Sequence, residues 1–255
     1  MKAVQIVFSP TGGTQKAADM IMEGWPVTIS KIDLTNALSD NSDFSFEKED
    51  IALIAIPSYG GRVPALAAQR LAAIQGNGAQ CIIVCVYGNR AYEDTLIELK
   101  DIAEQCNFHI AAAVSAVAEH SIMHQYAAGR PDQQDKKELS SFGKKIFDKV
   151  SNPDLSAPSL QIPGNHPYKK AGGAGLVPKA GEKCVRCGLC AKNCPAQAIS
   201  KENLKTADGK KCISCMRCVA QCPKSARKVN SAMVSVASLA IKKACSERKK
   251  NELFI

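Results

Sequence analysis

The first 150 residues predict an α/β fold with a doubly wound parallel sheet, followed by a second, smaller α+β domain built around cysteine. Three observations carry that expectation. Short apolar runs alternate with helical patterns up to Val150, a Pro/Gly-rich stretch follows over 151–180, and eight of the twelve cysteines lie between Cys184 and Cys222.

Each element has a local reason. Val4–Phe8 is a β-rich apolar run, and a Gly-rich turn leads from it into a helical stretch from Gln15 to about Glu23. Val27–Leu34 is strand-like with polar interruptions, which suits a sheet edge. Ile51–Ile56 and Cys81–Tyr87 are short and continuously apolar, as strands buried on both faces are. Pro64–Ile74 is Ala- and Leu-rich and reads as a helix. Ala91–Gln105 reads as another, with Leu96, Ile97 and Leu99 as its apolar positions. Ile110–Val117 is a fifth strand, although its alanines leave helix open. Pro131 is expected to open a last helix that runs to about Val150. In such a sheet the ligand sits beyond the carboxyl ends of the strands, at the switch point in strand order.

The expected boundaries are 1–150 for the first domain, 151–180 for a linker, 181–230 for the cysteine module and 231–255 for a helix and tail. The linker holds Pro153, Pro158, Pro163, Pro167 and Pro178, with Gly164, Gly172, Gly173 and Gly175 among them. Within it Pro163–Lys170, containing His166 and Tyr168, is a candidate to pin the linker across the first domain. Ser231–Ala244 reads as a short helix, and the charged end, Glu247–Ile255, is expected to fray. Trp25, Cys81 and Cys85 are expected in the core, and Cys106 and Cys245 lack partners at ligand spacing.

Composition narrows the class. At 45% hydrophobic and 22% charged residues the chain is that of an ordinary globular protein. No apolar stretch is long enough to span a bilayer, and the first apolar run leads into Ser-Pro-Thr-Gly-Gly-Thr rather than a cleavage site. The expected location is therefore cytoplasmic, where cysteines serve metal or redox chemistry rather than disulfides. Residues 1–150 carry 14 Lys/Arg and 18 Asp/Glu, and residues 151–255 carry 19 and 6. The basic half invites a nucleic-acid reading, but there is no helix-turn-helix or stacking motif, and thiolate-bound clusters would cancel part of the charge. No nucleic-acid partner is expected, and oligomeric state is left open.

The cysteines form two runs, Cys184-x2-Cys187-x2-Cys190-x3-Cys194-Pro195 and Cys212-x2-Cys215-x2-Cys218-x3-Cys222-Pro223, offset by 28 positions. Three cysteines at two-residue intervals wrap three corners of a cubane, and the fourth is aimed at the other cluster. The expected sites are two [4Fe–4S] clusters: cluster I on Cys184, Cys187, Cys190 and Cys222, cluster II on Cys212, Cys215, Cys218 and Cys194. Zinc also uses C-x2-C pairs, but it needs neither the third cysteine nor the Cys-Pro of both copies. Arg186, Lys192, Lys211 and Arg217 lie near the runs, as potential-raising charges or as a solvated basic face.

Three loops follow predicted strands at one sheet edge. Ser9-Pro10-Thr11-Gly12-Gly13-Thr14 joins strand to helix, where backbone N–H groups at a helix N-terminus suit a phosphate. It has neither the Lys of a P-loop nor the spacing of a dinucleotide fingerprint, so it suits a monophosphate such as that of FMN. The second loop offers Ser58, Tyr59, Gly60, Gly61 and Arg62, and the third offers Tyr87, Gly88, Asn89, Arg90 and Tyr92. In both, an aromatic can lie on a flat ring while glycines let backbone approach it.

With these loops, residues 1–150 resemble flavodoxins, and the whole chain resembles flavodoxin–ferredoxin fusion proteins. The resemblance implies a flavodoxin-like sheet of order 2-1-3-4-5 with a bacterial-type ferredoxin domain. It places the FMN phosphate on Ser9, Thr11, Gly12, Gly13 and Thr14, a ring-flanking aromatic at Tyr59 beside Ser58, Gly60, Gly61 and Arg62, and the third loop at Tyr87, Gly88, Asn89, Arg90 and Tyr92. Trp25 lies outside the second loop, where many flavodoxins have Trp. Arg62 and Arg90 stand where an acidic stretch is common, and are expected to raise the flavin potential.

The expected function is electron transfer between the clusters and FMN and on to a redox protein partner. The alternative is an FMN-dependent reductase of a small organic acceptor. For the Glu119–Tyr126 stretch two roles stay open: a lid in which His120 or His124 gives a proton, or a solvated surface loop.

Overall fold

The computed structural model describes residues 1–38, 44–152, 160–172 and 175–255, so Pro153, Pro158 and Gly173 of the expected linker lie outside the described residues. Five parallel strands, β1 (Ala3–Val7), β2 (Ile29–Asp33), β3 (Ile51–Pro57), β4 (Gln80–Tyr87) and β5 (His109–Val117), lie in the order β2-β1-β3-β4-β5. Every residue of β1 is buried, and β3 and β4 are buried except at one end. β2 buries only Ile32 and is the edge, as its polar interruptions predict. β5 is a strand, so tertiary pairing with β4 settles the ambiguity its alanines left.

The two faces carry separate cores. Ala17, Ala18 and Ile21 of α1 (Gly13–Ile21) and Leu139 and Ile146 of α4 (Gln133–Val150) cover Ala3, Val7, Leu53 and Val84. Ala67 and Leu71 of α2 (Ala65–Leu71) and Leu96 and Leu99 of α3 (Thr95–Gln105) cover Val4, Ile6, Ile54 and Ile83 on the opposite face. Period-2 alternation along β1 thus feeds both cores. Trp25 is buried, as expected; its ring lies 5.1 Å from that of Phe147 and its indole N–H donates to the Gly143 carbonyl at 3.2 Å.

At Gly143 α1 and α4 nearly touch. A Cβ there would stand 1.7 Å from the Ile21 carbonyl oxygen, a backbone atom that cannot swing aside. Gly143→Ala is expected to force the helices apart and to cost about 3 kcal/mol, despite the better helix propensity of alanine. Urea unfolding of the two proteins checks this, and an unchanged midpoint would refute it.

Two expectations need correction. Pro131 does not open α4; it precedes Asp132, which is the N-cap and accepts from the N–H groups of Gln134 and Asp135. Asp135 in turn accepts from the Asp132 N–H, a reciprocal capping box. Nor does the chain end fray. β8 (Glu252–Phe254) pairs antiparallel with Ala113–Ser115 of β5 and makes the sheet six-stranded. Asn251 is buried, donating to Asp135 and Glu138 and accepting from the Val117 N–H. A three-residue pairing and scattered polar contacts such as those of Asn251 hold this tail, too short a pattern for periodicity to reveal.

The cysteine module is small. β6 (Lys179–Ala180) and β7 (Arg227–Lys228) pair antiparallel and bring its two ends together. Each cysteine run carries a one-turn helix, α5 (Leu189–Lys192) and α6 (Arg217–Ala220). α7 (Ser231–Ile241) follows, with its Asn230 cap accepting from the Met233 N–H, and then a 3-10 turn over Lys243–Cys245.

Candidate functional site

The internal repeat of the sequence is also a repeat of geometry. α5 begins after Gly188 and α6 after Met216, 28 positions apart and both left-handed. The fourth cysteine of each run accepts a backbone N–H: Ala198 to Cys194 at 3.3 Å and Ala226 to Cys222 at 3.2 Å. Such N–H···S bonds favour the thiolate, which is the ligand form. Burial acts to raise the Cys222 thiol, but backbone N–H groups of Ala226, Lys224 and Arg227 together bring it below its usual value. Burial raises Cys215 to about 12 and Cys218 to about 11.

Two cavities lie in the module. One is lined by Cys184, Cys187, Cys190 and Cys222, the other by Cys194, Cys212, Cys215 and Cys218. In each, three cysteines come from one run and the fourth from the other. Among the described residues no three Cys, His, Asp or Glu side chains close on a single-ion position. Each cavity offers an all-thiol donor set of four cysteines, which fits an iron–sulfur cluster.

The flavin-type loops emerge together at the carboxyl edge of the sheet. Gly13 packs against Ala118 beyond β5, since a Cβ on it would lie 3.1 Å from the alanine Cβ. The Ser58 N–H donates to Val86, and Ala118 N–H donates to Tyr87. In the first loop Gly12 takes φ +95°, and no side chain caps α1 there. Thr11 and Gly12 are exposed. Ser9 Oγ accepts from the Gln15 N–H, which fixes the turn. Uncapped N–H groups at an exposed helix start fit a phosphate. In the second loop Gly60 and Gly61 both have positive φ, and Tyr59 is half-buried between them and Ser58, whose hydroxyl is paired with that of Thr95 at 2.7 Å.

Several side chains expected at the flavin also have partners within the chain. Arg62 forks onto Glu98 with two 2.7 Å bonds and lies over the Tyr168 ring. Arg90 makes a paired contact with Glu93. Each arginine therefore carries its own counter-charge, which offsets part of its field. Tyr87 is buried edge-on against Tyr92, whose hydroxyl donates to Glu252 of β8. The Asn89 amide donates to the carbonyls of Cys245 and Glu247. What the third loop retains for a ligand is backbone around Gly88. Sequence spacing locates a loop but not which way its side chains turn, and here the returning tail claims them.

His120 packs on Gly88, and its Nδ1 accepts from the N–H groups of Ile122 and Met123. Burial first, then His124 and Arg90, lower its pKa. The neutral ring therefore carries its proton on Nε2. His124 is exposed and paired with Glu119.

The linker is pinned as anticipated. Asp94 accepts from Asn165 and from the Lys169 N–H, and Asp101 accepts from His166 and Tyr168. The cysteine module in turn rests on the loops. Arg217 donates to the Pro10 carbonyl at 3.3 Å, Arg70 of α2 donates to Pro195 at 2.6 Å, and Ile213 packs on the α2/α3 core. Burial and the nearby Cys215 sulfur both push the Tyr59 hydroxyl upward. The cavity of Cys194, Cys212, Cys215 and Cys218 is thus the one that faces the first two loops. The other cavity faces outward, at the exposed Val185, Arg186 and Cys187.

Residues 183–227 match the family described as the 4Fe-4S dicluster domain. The chain couples a flavodoxin-like fold to a 4Fe–4S dicluster domain. The fold of its first part rests on the strand order, and the match at 183–227 supports a redox, electron-transfer role. Flavodoxin-like solved structures are similar at a distance. A flavodoxin of Streptococcus pneumonia TIGR4 is 18% identical, covering 59% of this chain and 98% of that one, with a TM-score of 0.43. A flavodoxin from the domain Archaea is 16% identical over 60% and 100%, at 0.41. Rubredoxin oxygen:oxidoreductase of Desulfovibrio gigas is 14% identical over 61% of this chain and 37% of that one, at 0.44. No curated protein matches the chain. Among the described residues no helix is long and apolar enough to cross a membrane.

Proposed function

We propose that this chain passes single electrons between two [4Fe–4S] clusters and FMN, and on to a redox protein partner. One observation carries the reading. The sulfur cage of Cys194, Cys212, Cys215 and Cys218 sits against the loops proposed to hold FMN, through Arg217 on Pro10 and Cys215 beside Tyr59. When bound, each cluster exchanges one electron and FMN exchanges one or two, so together they convert single electrons to pairs or the reverse. The protein fixes the distance. Thr11, Gly12, Gly13 and Thr14 offer N–H groups to the phosphate, and Tyr59 offers a ring face. The outward cage, with Cys187 exposed beside Lys183, Arg186 and Lys224, is the port for the partner, and its basic rim suits an acidic one. A reducing compartment such as the cytoplasm suits twelve cysteines of which none is in a disulfide.

A second reading, an FMN-dependent reductase of a small organic acceptor, is favoured by His120. It lies on the third loop with an Nε2–H free of the two bonds that occupy Nδ1.

The test begins with anaerobically prepared protein carrying about eight irons and one FMN. After rapid mixing with a one-electron reductant, flavin reduction should follow cluster bleaching at a rate independent of protein concentration. A rate that scales with concentration would mean that transfer occurs between molecules, and the intramolecular reading would fall. Selective, saturable oxidation by one member of a panel of quinones, nitroaromatics and enoates would favour the reductase.

A further inference from the structure

The 28-residue repeat sets Arg227 against Ile199: each lies five positions after the fourth cysteine of its run. Ile199 lines the cavity of Cys194, Cys212, Cys215 and Cys218, whereas Arg227 lines that of Cys184, Cys187, Cys190 and Cys222. Both are buried, at 5% and 2% exposure. One copy of the repeat thus fills this position with a hydrocarbon and the other with a cation.

The surroundings of Arg227 do not explain its charge. Nη1 donates to the Leu204 carbonyl at 2.7 Å and to Cys190 Sγ at 3.7 Å, and Nη2 donates to the Pro178 carbonyl at 3.3 Å. Nε is buried with no partner. Among the described residues no carboxylate pairs with it. A buried guanidinium without a counter-charge is costly, and two carbonyls do not neutralise it. The negative charge on hand is thiolate: Cys190 and Cys222 of the outward cage, with Cys218 of the other cage also in hydrogen-bond reach and Cys212 within its field.

We infer that Arg227 makes the two cages electrically unequal, holding the outward one, which contains Cys190, at the higher reduction potential. The inference rests on the two-cluster reading. A fixed positive charge and an N–H donor at a ligand sulfur both favour the more negative, reduced state of whatever the cage holds. The inward cage has Ile199 in the equivalent place; Arg227 reaches it at Cys218 but does not line its cavity. An electron arriving through the outward port therefore waits there, and moves inward when the inner site and flavin can take it.

Anaerobic redox titration followed by electron paramagnetic resonance tests this on the full chain, with iron counted in every sample. Wild type should show two unequal one-electron potentials. Arg227→Gln should lower the upper one by at least tenfold in equilibrium, about 59 mV for one electron, and narrow the gap. Arg227→Lys keeps the charge but loses the fixed fork, so it should lower the upper potential by less than tenfold. Potentials that stay put, or fall equally, in loaded Arg227→Gln would overturn the inference. If Arg227→Gln does not take up iron, an unchanged upper potential in Arg227→Lys overturns it instead. Wild type holding well under eight irons would fail the two-cluster reading rather than this one.

Discussion

Cys222→Ala should halve the iron content, from about eight to about four per chain, and spare the sulfurs of its own run. Cys222 lines the cavity of Cys184, Cys187 and Cys190 of the other run, while Cys212, Cys215 and Cys218 share theirs with Cys194. The surviving cluster should therefore respond to Cys212→Ala and not to Cys184→Ala. Iron and sulfide counts on the single and double variants read this directly. If Cys222→Ala and Cys212→Ala instead remove the same four irons, each run holds its own cluster and the crossed arrangement is wrong. The crossing has a mechanical consequence: each run is held in place by the other, so loss of one fourth cysteine also loosens the loop that supplied it.

The second large effect is expected at Asp135, far from any sulfur. Asp135 is fully buried and takes both Arg130 bonds, at 2.5 and 2.9 Å, together with the Asp132 N–H and the Asn251 amide. Arg130 in turn holds the Lys249 carbonyl, and Arg248 reaches Asp132. Asp135→Ala leaves a buried guanidinium unpaired and releases the segment that leads to β8. The expected cost is about 3–5 kcal/mol, a melting shift on the order of 10 °C for a chain of this size. Burial opposes the charge on Asp135, yet Arg130, the Asp132 N–H and Asn251 outweigh it and depress its pKa. A depressed folded-state pKa gives stability that is complete above the ordinary carboxylate range and is lost as pH falls through the folded value. The gap between wild type and Asp135→Ala should therefore be widest near pH 7 and shrink on acidification. Urea midpoints at pH 7 and pH 3 measure it, and a gap that does not depend on pH would exclude the ion pair as its source.

The main sheet was legible because β3 and β4 are unbroken apolar runs and the helices between them have clear faces. The cysteine module was legible because ligand spacing is local. Both depend on neighbours in sequence. What escaped depends on distant partners: Tyr87 and Tyr92 turn toward β8, Asn89 toward the carbonyls of Cys245 and Glu247, and Arg62 toward Glu98 and the linker. An aromatic or an arginine in a loop carries no mark of which partner will claim it. Arg227 is the exception that could have been found. Aligning the two cysteine runs at 28 positions sets it against Ile199, and a cation in a hydrocarbon's place is visible without coordinates.

β8 closes a sheet whose other strands all precede the cysteine module. In topological terms the module is an insertion into the flavodoxin-like fold, tethered at both ends, rather than an appendage swinging on one hinge. Order of synthesis follows from this. Ala113–Ser115 leave the ribosome long before Glu252–Phe254, so the outer edge of β5 stays an open template for stray pairing while the module is being made. The strand that retires that edge is made after the module, and native assembly of the first-made half waits on it.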